Sequence, residues 1–137
     1  LVADSVIAVI AQRLVRLICP DCKKPQKVSA AELAEIGVSP ERAKGHVIYE
    51  AVGCPACSGV GYRGRTGIYE LIVVDPEIKA LVVQRSESGL ISRKAVSKGA
   101  ETLRDDGAHK VLEGITTIAE VLRSTQLAMI SAEGNVT

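Results

Sequence analysis

The first eighteen residues of the chain, LVADSVIAVIAQRLVRLI, are rich in apolar side chains that recur at intervals of three and four positions. This spacing lines one face of a helix, so the sequence predicts a helix that runs to Ile18. The positions that define this face are Val2, Val6, Ile7, Ile10, Leu14 and Leu17. Because the chain lacks an initiator methionine and begins inside this pattern, we interpret it as a piece of a larger protein.

Two later stretches alternate in the manner of β-strands. They are HVIYEAV at residues 46–52 and TGIYELIVV at residues 66–74, and both contain β-branched and aromatic side chains. Two short helices are predicted before the first strand. The first begins at the capping residue Ser29 and ends at Gly37, and the second begins at Ser39 and ends at Gly45.

The rest of the chain has helical spacing interrupted by capping residues. Asp75 and Pro76 predict the start of a helix that reaches about Arg85. Three more helices are predicted, within 88–98, over 103–113 and from a capping box that spans Thr117 to Glu120. Residues 127–137 carry no partner pattern and are predicted to form a disordered tail. The fold class indicated is α+β, mostly helical.

The composition narrows the classes of function. The 137 residues are 47% hydrophobic, but the aromatic residues are Tyr49, Tyr62 and Tyr69 alone, so the core has to be aliphatic. The net charge of +1 gives no general attraction to nucleic acid or to an anionic membrane. No apolar run approaches the roughly 20 residues that span a bilayer, and nothing resembles a secretory signal.

Four cysteines form two pairs of equal spacing, Cys19-Pro-Asp-Cys22 and Cys54-Pro-Ala-Cys57. In a chain without a secretory signal, this pattern indicates metal or redox chemistry rather than disulfides. Zn²⁺ takes four ligands in a tetrahedron, and a two-residue spacing lets one tight turn present two thiolates. We therefore predict a structural zinc site that stabilises an intervening segment too small to fold alone.

Two alternatives use parts of the same stretch. A dithiol oxidoreductase needs one Cys-x-x-Cys motif at a strand-to-helix junction, and no βαβ pattern surrounds either pair. The sequence GVGYRGRT at residues 59–66 is close to a phosphate-binding loop, but the lysine of that motif is missing. A strand rather than a helix is also predicted to follow it. Both alternatives fit less well than the metal site.

Several other polar residues have a structural explanation beside a functional one. His46 and His109 are isolated in the sequence, so we predict ordinary exposed side chains rather than metal ligands. Asp105 and Asp106 resemble a catalytic acid pair, but adjacent carboxylates at a helix start more often complement the helix dipole.

Arg63 and Arg65 flank Gly64 in a predicted glycine loop. One interpretation is a solvated basic turn held by packing of Tyr62. The other is a pair of cations that contacts nucleotide phosphate or a partner. The sequence leaves both interpretations open.

Three blocks of sequence, in this order, resemble the C-terminal region of the secretion ATPases of type II secretion and type IV pilus assembly. They are AQRLVRLICPDCK, GCPACSGVGYRGRTGIYELIVVD and LRDDGAHKVLEGITTIAEVLRST, and they extend from about Ala11 to Thr125. The resemblance implies four parts: a terminal helix of a truncated RecA-like ATPase core, a tetracysteine zinc-binding subdomain, a strand with a small C-terminal helical bundle, and a disordered tail. Their expected bounds are 1–18, 19–65, 66–126 and 127–137.

The resemblance also implies a function for the parent protein. It would be a cytoplasmic hexamer, peripheral to the inner membrane, that uses ATP and Mg²⁺ to drive pseudopilus or pilus assembly for protein export. Its partners would be the other subunits of the hexamer and the inner-membrane platform proteins. The phosphate loop, Walker B acid and histidine box of the family are absent from these residues, so this chain alone is expected to be an accessory module without ATPase activity.

Another class of function shares part of the pattern. Residues 54–61, CPACSGVG, fit the repeat of the zinc modules of J-domain chaperones, which bind unfolded polypeptide. Those modules carry four such repeats, whereas CPDCKKPQ at residues 19–26 lacks the glycines. A nucleic-acid-binding zinc ribbon is disfavoured by the near-zero charge and the absence of stacking aromatics.

Overall fold

The computed structural model of the chain describes residues 8–84 and 88–134, which form an α+β fold with two small sheets. The strands are β1 (Ala8–Ile18), β2 (Lys24–Pro25), β3 (Tyr49–Glu50) and β4 (Tyr62–Val73). The helices are α1 (Ala30–Glu35), α2 (Pro40–Ala43), α3 (Pro76–Val83), α4 (Ser88–Ser97), α5 (Leu103–Leu112) and α6 (Ile118–Gly134). A short 3₁₀ turn covers Pro55–Cys57.

The prediction of a helix up to Ile18 is wrong over the residues that the structure describes. Residues 8–18 form β1, which pairs antiparallel with β4 from Ala8 opposite Val73 to Arg16 opposite Arg65. Four of its eleven residues are Val or Ile, which suit a strand better than a helix. The long partner strand lies about fifty residues away in the sequence, so the local apolar spacing gave no sign of it. Residues 1–7 lie outside the described part.

The two strand predictions had different outcomes. The strand predicted at 66–74 is confirmed as β4, which begins earlier, at Tyr62. The strand predicted at 46–52 shrinks to β3, whose two residues pair with β2. Pro25 of β2 has no amide hydrogen to donate to a ladder, which helps to keep this pairing short.

The predicted helix starts are confirmed where a side chain caps the first turn. Ser29 and Ser39 accept from backbone amides at the starts of α1 and α2, each at 3.2 Å. Asp75 accepts from the amide of Ile78 at 2.9 Å at the start of α3. These contacts span three residues, so local sequence is sufficient to predict them.

The predicted disordered tail is wrong as far as the structure describes it, because α6 continues to Gly134. The stretch from Leu127 to Glu133 contains neither glycine nor proline and is rich in good helix formers. Once a helix has begun, adding such residues is favourable. Residues 135–137 lie outside the described part.

The main hydrophobic core joins the segment between the cysteine pairs to the C-terminal helices. It contains Leu33, Ile36, Val38, Ile48, Ala108, Val111, Leu112, Ile118 and Val121. The first four of these residues lie between Cys22 and Cys54, whereas the others belong to α5 and α6. The segment between the cysteine pairs therefore completes its core with side chains from the end of the chain.

A second, smaller cluster attaches α5 to the β1–β4 ribbon. Val15 and Ile68 are fully buried against Leu103, the first residue of α5. In this way α5 contributes to both cores. Within the described ranges, no helix is long and apolar enough to cross a membrane.

Candidate metal centre

The four cysteines meet where β1 ends and β4 begins. Their Sγ atoms all lie within 4.8 Å of one another. Cys19 and Cys54 are separated by 3.8 Å, Cys22 and Cys57 by 3.8 Å, and Cys54 and Cys57 by 3.7 Å. The structure thus brings together both pairs, which are 31 residues apart in the sequence.

These separations fit a tetrahedral ion with four thiolate ligands. A tetrahedron with metal–sulfur bonds of about 2.3 Å has sulfur–sulfur edges of about 3.8 Å. The sulfurs are much too far apart for disulfide bonds, and all four cysteines are free. A redox dithiol would use only one pair, whereas here both pairs face one centre.

Backbone amides point at the sulfur atoms from two sides. Gly53 donates to Cys22 at 3.3 Å, and Cys54 and Gly61 donate to Cys57 at 3.2 and 3.1 Å. Gly61 has a φ of +89°, and a Cβ atom there would lie 2.8 Å from the Cβ atom of Ala51. Glycine is therefore required at this position for the amide to reach the sulfur.

The surroundings affect the thiol pKa values in opposite directions. Burial disfavours the Cys57 thiolate, but the amides of Cys54 and Gly61 outweigh it and lower the pKa of Cys57 to about 6. Burial raises the pKa of Cys22 to about 11, with the Gly53 amide acting in the opposite sense. Cys57 therefore ionises more readily than Cys22, and a bound divalent cation would favour the thiolate form of its ligands.

The last residues of β1, just before Cys19, are held by the segment that leads into α6. The amide of Arg16 donates to Glu120 Oε2 at 2.6 Å, and the hydroxyl of Thr116 donates to the Arg16 carbonyl at 2.8 Å. The amide of Ile18 donates to the Ile115 carbonyl at 2.9 Å. Three backbone groups of β1 are thus satisfied from the C-terminal part of the chain.

Glu120 is a buried carboxylate at the centre of an ion cluster. Only 1% of the residue is exposed, yet it accepts from Arg16 Nε at 3.0 Å and from Arg123 Nε at 2.9 Å. The Arg16 guanidinium lies 4.3 Å from the ring centroid of Tyr62, whose hydroxyl contacts Thr117 at 2.8 Å. This cluster connects both strands of the ribbon to the start of α6.

The cluster keeps Glu120 ionised despite its burial. Burial by itself would raise the pKa of Glu120, but hydrogen bonds from Arg123 and Arg16 lower it to about 2. Because the folded pKa is below the ordinary value of 4.5, the carboxylate stabilises the fold fully above about pH 4.5. That contribution is lost as the pH falls toward 2.

The sequence did not identify this cluster. It predicted a capping box from Thr117 to Glu120, and half of the box is present because the Glu120 amide donates to Thr117 Oγ1 at 3.1 Å. The Glu120 carboxylate is directed to Arg16 and Arg123 instead. Arg16 is 104 residues away, so no local signal could have revealed the contact.

Arg63 and Arg65 lie on strand β4, so the prediction that they occupy a glycine loop is wrong. Arg63 forms an exposed ion pair with Asp21, which lies between Cys19 and Cys22, with Nη1 and Oδ2 3.5 Å apart. Arg65 is exposed and lies opposite Arg16 in the ladder. Among the described residues, Arg65 makes no hydrogen bond or ion pair.

The two histidines bind groups outside the cysteine cluster. His46 Nδ1 donates to the Leu112 carbonyl at 3.2 Å. The Arg42 guanidinium can only donate, so His109 accepts from it through Nδ1 at 3.1 Å and donates through Nε2 to Glu101 at 3.2 Å.

The aspartate pair at the start of α5 has a structural role. Asp105 forms a capping box with Thr102, whose amide donates to Oδ2 at 2.9 Å. Asp106 accepts from the amide of Tyr69 in β4 at 2.8 Å. The prediction that carboxylates complement this helix start is confirmed for Asp105.

The sequence was also compared with models of known protein families. A family model described as type II/IV secretion system protein matches residues 1–123. The chain belongs to this family. The match includes both cysteine pairs, the β1–β4 ribbon and the first residues of α6, and it favours the secretion family over the chaperone alternative.

Curated relatives of the secretion family align over nearly the whole chain. It is 47% identical over 126 residues to the type II secretion system protein E of Pseudomonas aeruginosa, covering 92% of this chain and 24% of that protein. It is 42% identical over 124 residues to the type IV pilus assembly ATPase PilB of Thermus thermophilus, covering 90% of this chain and 14% of that protein. The chain therefore spans about a quarter or less of the length of these relatives.

Proposed function

We propose that this chain is an accessory C-terminal module of a secretion ATPase and holds one structural Zn²⁺ ion through Cys19, Cys22, Cys54 and Cys57. The observation that carries the proposal is the meeting of two distant cysteine pairs with separations of 3.7 and 3.8 Å. With four thiolate ligands the ion has no open position for a substrate, so its role is structural.

In this proposal the full-length protein is a hexamer that uses ATP and Mg²⁺ to drive pseudopilus or pilus assembly for protein export. It acts in the cytoplasm, peripheral to the inner membrane, and its partners are the other subunits and the platform proteins of the machine. Two relatives that are ATPases by name, from Thermus thermophilus and Vibrio cholerae, support the assignment to an ATPase.

The module itself contributes no nucleotide site. Residues 59–66 resemble a phosphate loop, but the structure places 62–66 in β4, whereas a phosphate loop leads into a helix. We expect the isolated chain to show no Mg²⁺-dependent ATP binding by calorimetry, and Arg65→Lys to create none. The full-length protein serves as the positive control. Micromolar binding of ATP by the isolated chain would overturn this division of roles.

Arg65 is the side chain through which the module contacts the rest of the assembly. It is exposed and unpaired among the described residues, and it lies opposite Arg16, whose carboxylate partner Glu120 is shared with Arg123. Like charges directly opposite each other are unfavourable, so a phosphate or carboxylate next to Arg65 would be stabilising. Arg63 is less available, because Asp21 already pairs with it.

We expect Arg65→Ala in the full-length protein to lower ATP turnover or raise KM for ATP, because a cation near a transferring phosphoryl group stabilises its charge. Steady-state ATPase kinetics measure this, and Arg63→Ala is the matched control with a smaller expected effect. Zinc content and hexamer formation should be unchanged in both variants. If ATPase kinetics and secretion are both unchanged in Arg65→Ala, the proposed contact is wrong and Arg65 is only a solvated residue of β4.

A further inference from the structure

We propose that Glu120 is a positioning residue for the metal centre. By holding the outer edge of β1, it keeps Cys19 at ligand distance from the other thiols. This inference rests on the proposed zinc site and extends it to a residue 101 positions along the chain from Cys19. The hydrogen bonds of Glu120 to described residues go to Arg16, Thr117, Arg123 and Ser124, and none of these is a cysteine.

The outer edge of β1 is fixed at two alternate residues. In an antiparallel pair, every second residue directs its amide and carbonyl away from the partner strand. The outward groups at the end of β1 are those of Arg16 and Ile18, and they are bound by Glu120, Thr116 and Ile115. The segment before α6 thus takes the place of a further strand beside β1.

On the side of β1 that faces β4, hydrogen bonds connect the end of the strand to the sulfur atoms. Cys19 follows Ile18, and its amide donates to the Gly61 carbonyl at 2.9 Å. The amide of Gly61 donates in turn to Cys57 Sγ at 3.1 Å. Cys19 is 0% exposed and lies between the outer bonds of Arg16 and Ile18 and its own bond to Gly61. A shift of β1 would therefore change the distance from Cys19 to Cys54.

Glu120 supplies the strongest contact of the outer set. Its buried carboxylate accepts the Arg16 amide at 2.6 Å, and the ion pairs to the partly exposed side chains of Arg16 and Arg123 hold it in that position. Charge-assisted bonds of this kind are about twice as strong as neutral ones. Without the carboxylate, the Arg16 amide would have no acceptor and the strand end would be free to move.

Residues that orient metal ligands typically change metal affinity by about 10–100-fold when they are replaced. We therefore expect Glu120→Gln to weaken zinc binding by about tenfold and Glu120→Ala to weaken it further, toward 100-fold. Thr116→Val, which removes the neutral bond to the Arg16 carbonyl, should cause a smaller loss in the same direction. Competition with a zinc chelator measures these affinities.

The control is Val121→Ala, which changes the neighbouring residue of α6. Val121 is fully buried in the main core and its backbone hydrogen bonds go to Thr117 and Thr125, so we expect the variant to lose stability without releasing the edge of β1. Cobalt(II) provides a spectroscopic readout, because its visible absorption reports whether four sulfurs surround it tetrahedrally. We expect a native cobalt spectrum for Val121→Ala and a weakened or altered one for Glu120→Ala.

The outcomes separate this inference from the proposed function. If the unaltered chain binds no zinc, the proposed metal site fails and this inference fails with it. If the unaltered chain binds zinc and all Glu120 variants bind it equally well, only this inference is overturned. It is also overturned if Val121→Ala loses as much zinc affinity as Glu120→Ala at an equal loss of stability, because the effect would then be general destabilisation.

Discussion

Cys54→Ser is expected to lose the metal and to unfold both the segment between the cysteine pairs and the helices that share its core. Structural zinc contributes about 10–16 kcal/mol to small modules, which is comparable to the whole stability of a typical domain. Ile36 and Ile48 lie in one cluster with Val111 and Val121, so the unfolding should extend from the segment between the cysteine pairs to α5 and α6. Amide NMR spectra measure it residue by residue.

The matched control for this substitution is Val60→Ser. Val60 is exposed in the turn after the second cysteine pair, so a serine there adds the same side chain without removing a ligand. We expect this variant to keep its metal and a native spectrum. A Cys54→Ser protein whose α5 and α6 amides stay fully dispersed would show that the C-terminal helices are independent of the metal site.

Gly107→Val is expected to destabilise the fold by about 3 kcal/mol, because overpacking a filled core costs about 1–3 kcal/mol and this outweighs the few tenths of a kcal/mol by which valine is a better helix former than glycine. A Cβ atom at Gly107 would lie 2.6 Å from Cγ1 of Val121, where α5 crosses α6. Val121 is fully buried in the main core. Chemical denaturation with a comparison of midpoints measures the loss.

Two further variants isolate the steric cause. Gly89→Ala, at the second residue of α4, meets no atom within 4 Å, so it should not destabilise the chain and should add at most about 0.5–1 kcal/mol through helix propensity. Combining Gly107→Ala with Val121→Ala should recover most of the stability that Gly107→Ala alone loses. If Gly107→Val is as stable as the unaltered chain, the close crossing of α5 and α6 is incorrect.

The features predicted correctly from the sequence depend on residues that are close together in the chain. Each helix cap joins a side chain to an amide three residues away, and the Cys-x-x-Cys spacing fixes a turn in the same way. The helix predicted over 103–113 is also confirmed, as α5 at Leu103–Leu112. Local chemistry was sufficient in these cases.

The features that the sequence did not reveal depend on distant partners. The helix expected before Cys19 is a strand because β4 pairs with it, and that pairing overrides a spacing compatible with a helix. Gly107 lies within the helix predicted over 103–113, but nothing local shows that a Cβ atom there would meet Val121. Glu120 was read as half of a capping box, although its carboxylate binds a residue at the other end of the chain.

The central claim is that the four cysteines hold one structural zinc ion. The most direct test is the metal content of the chain, purified without chelator and measured by mass spectrometry against protein concentration. The sulfur geometry predicts one equivalent of zinc per chain, and its complete loss in Cys54→Ser. Less than half an equivalent in the unaltered chain, or full zinc content in Cys54→Ser, would contradict the proposed site.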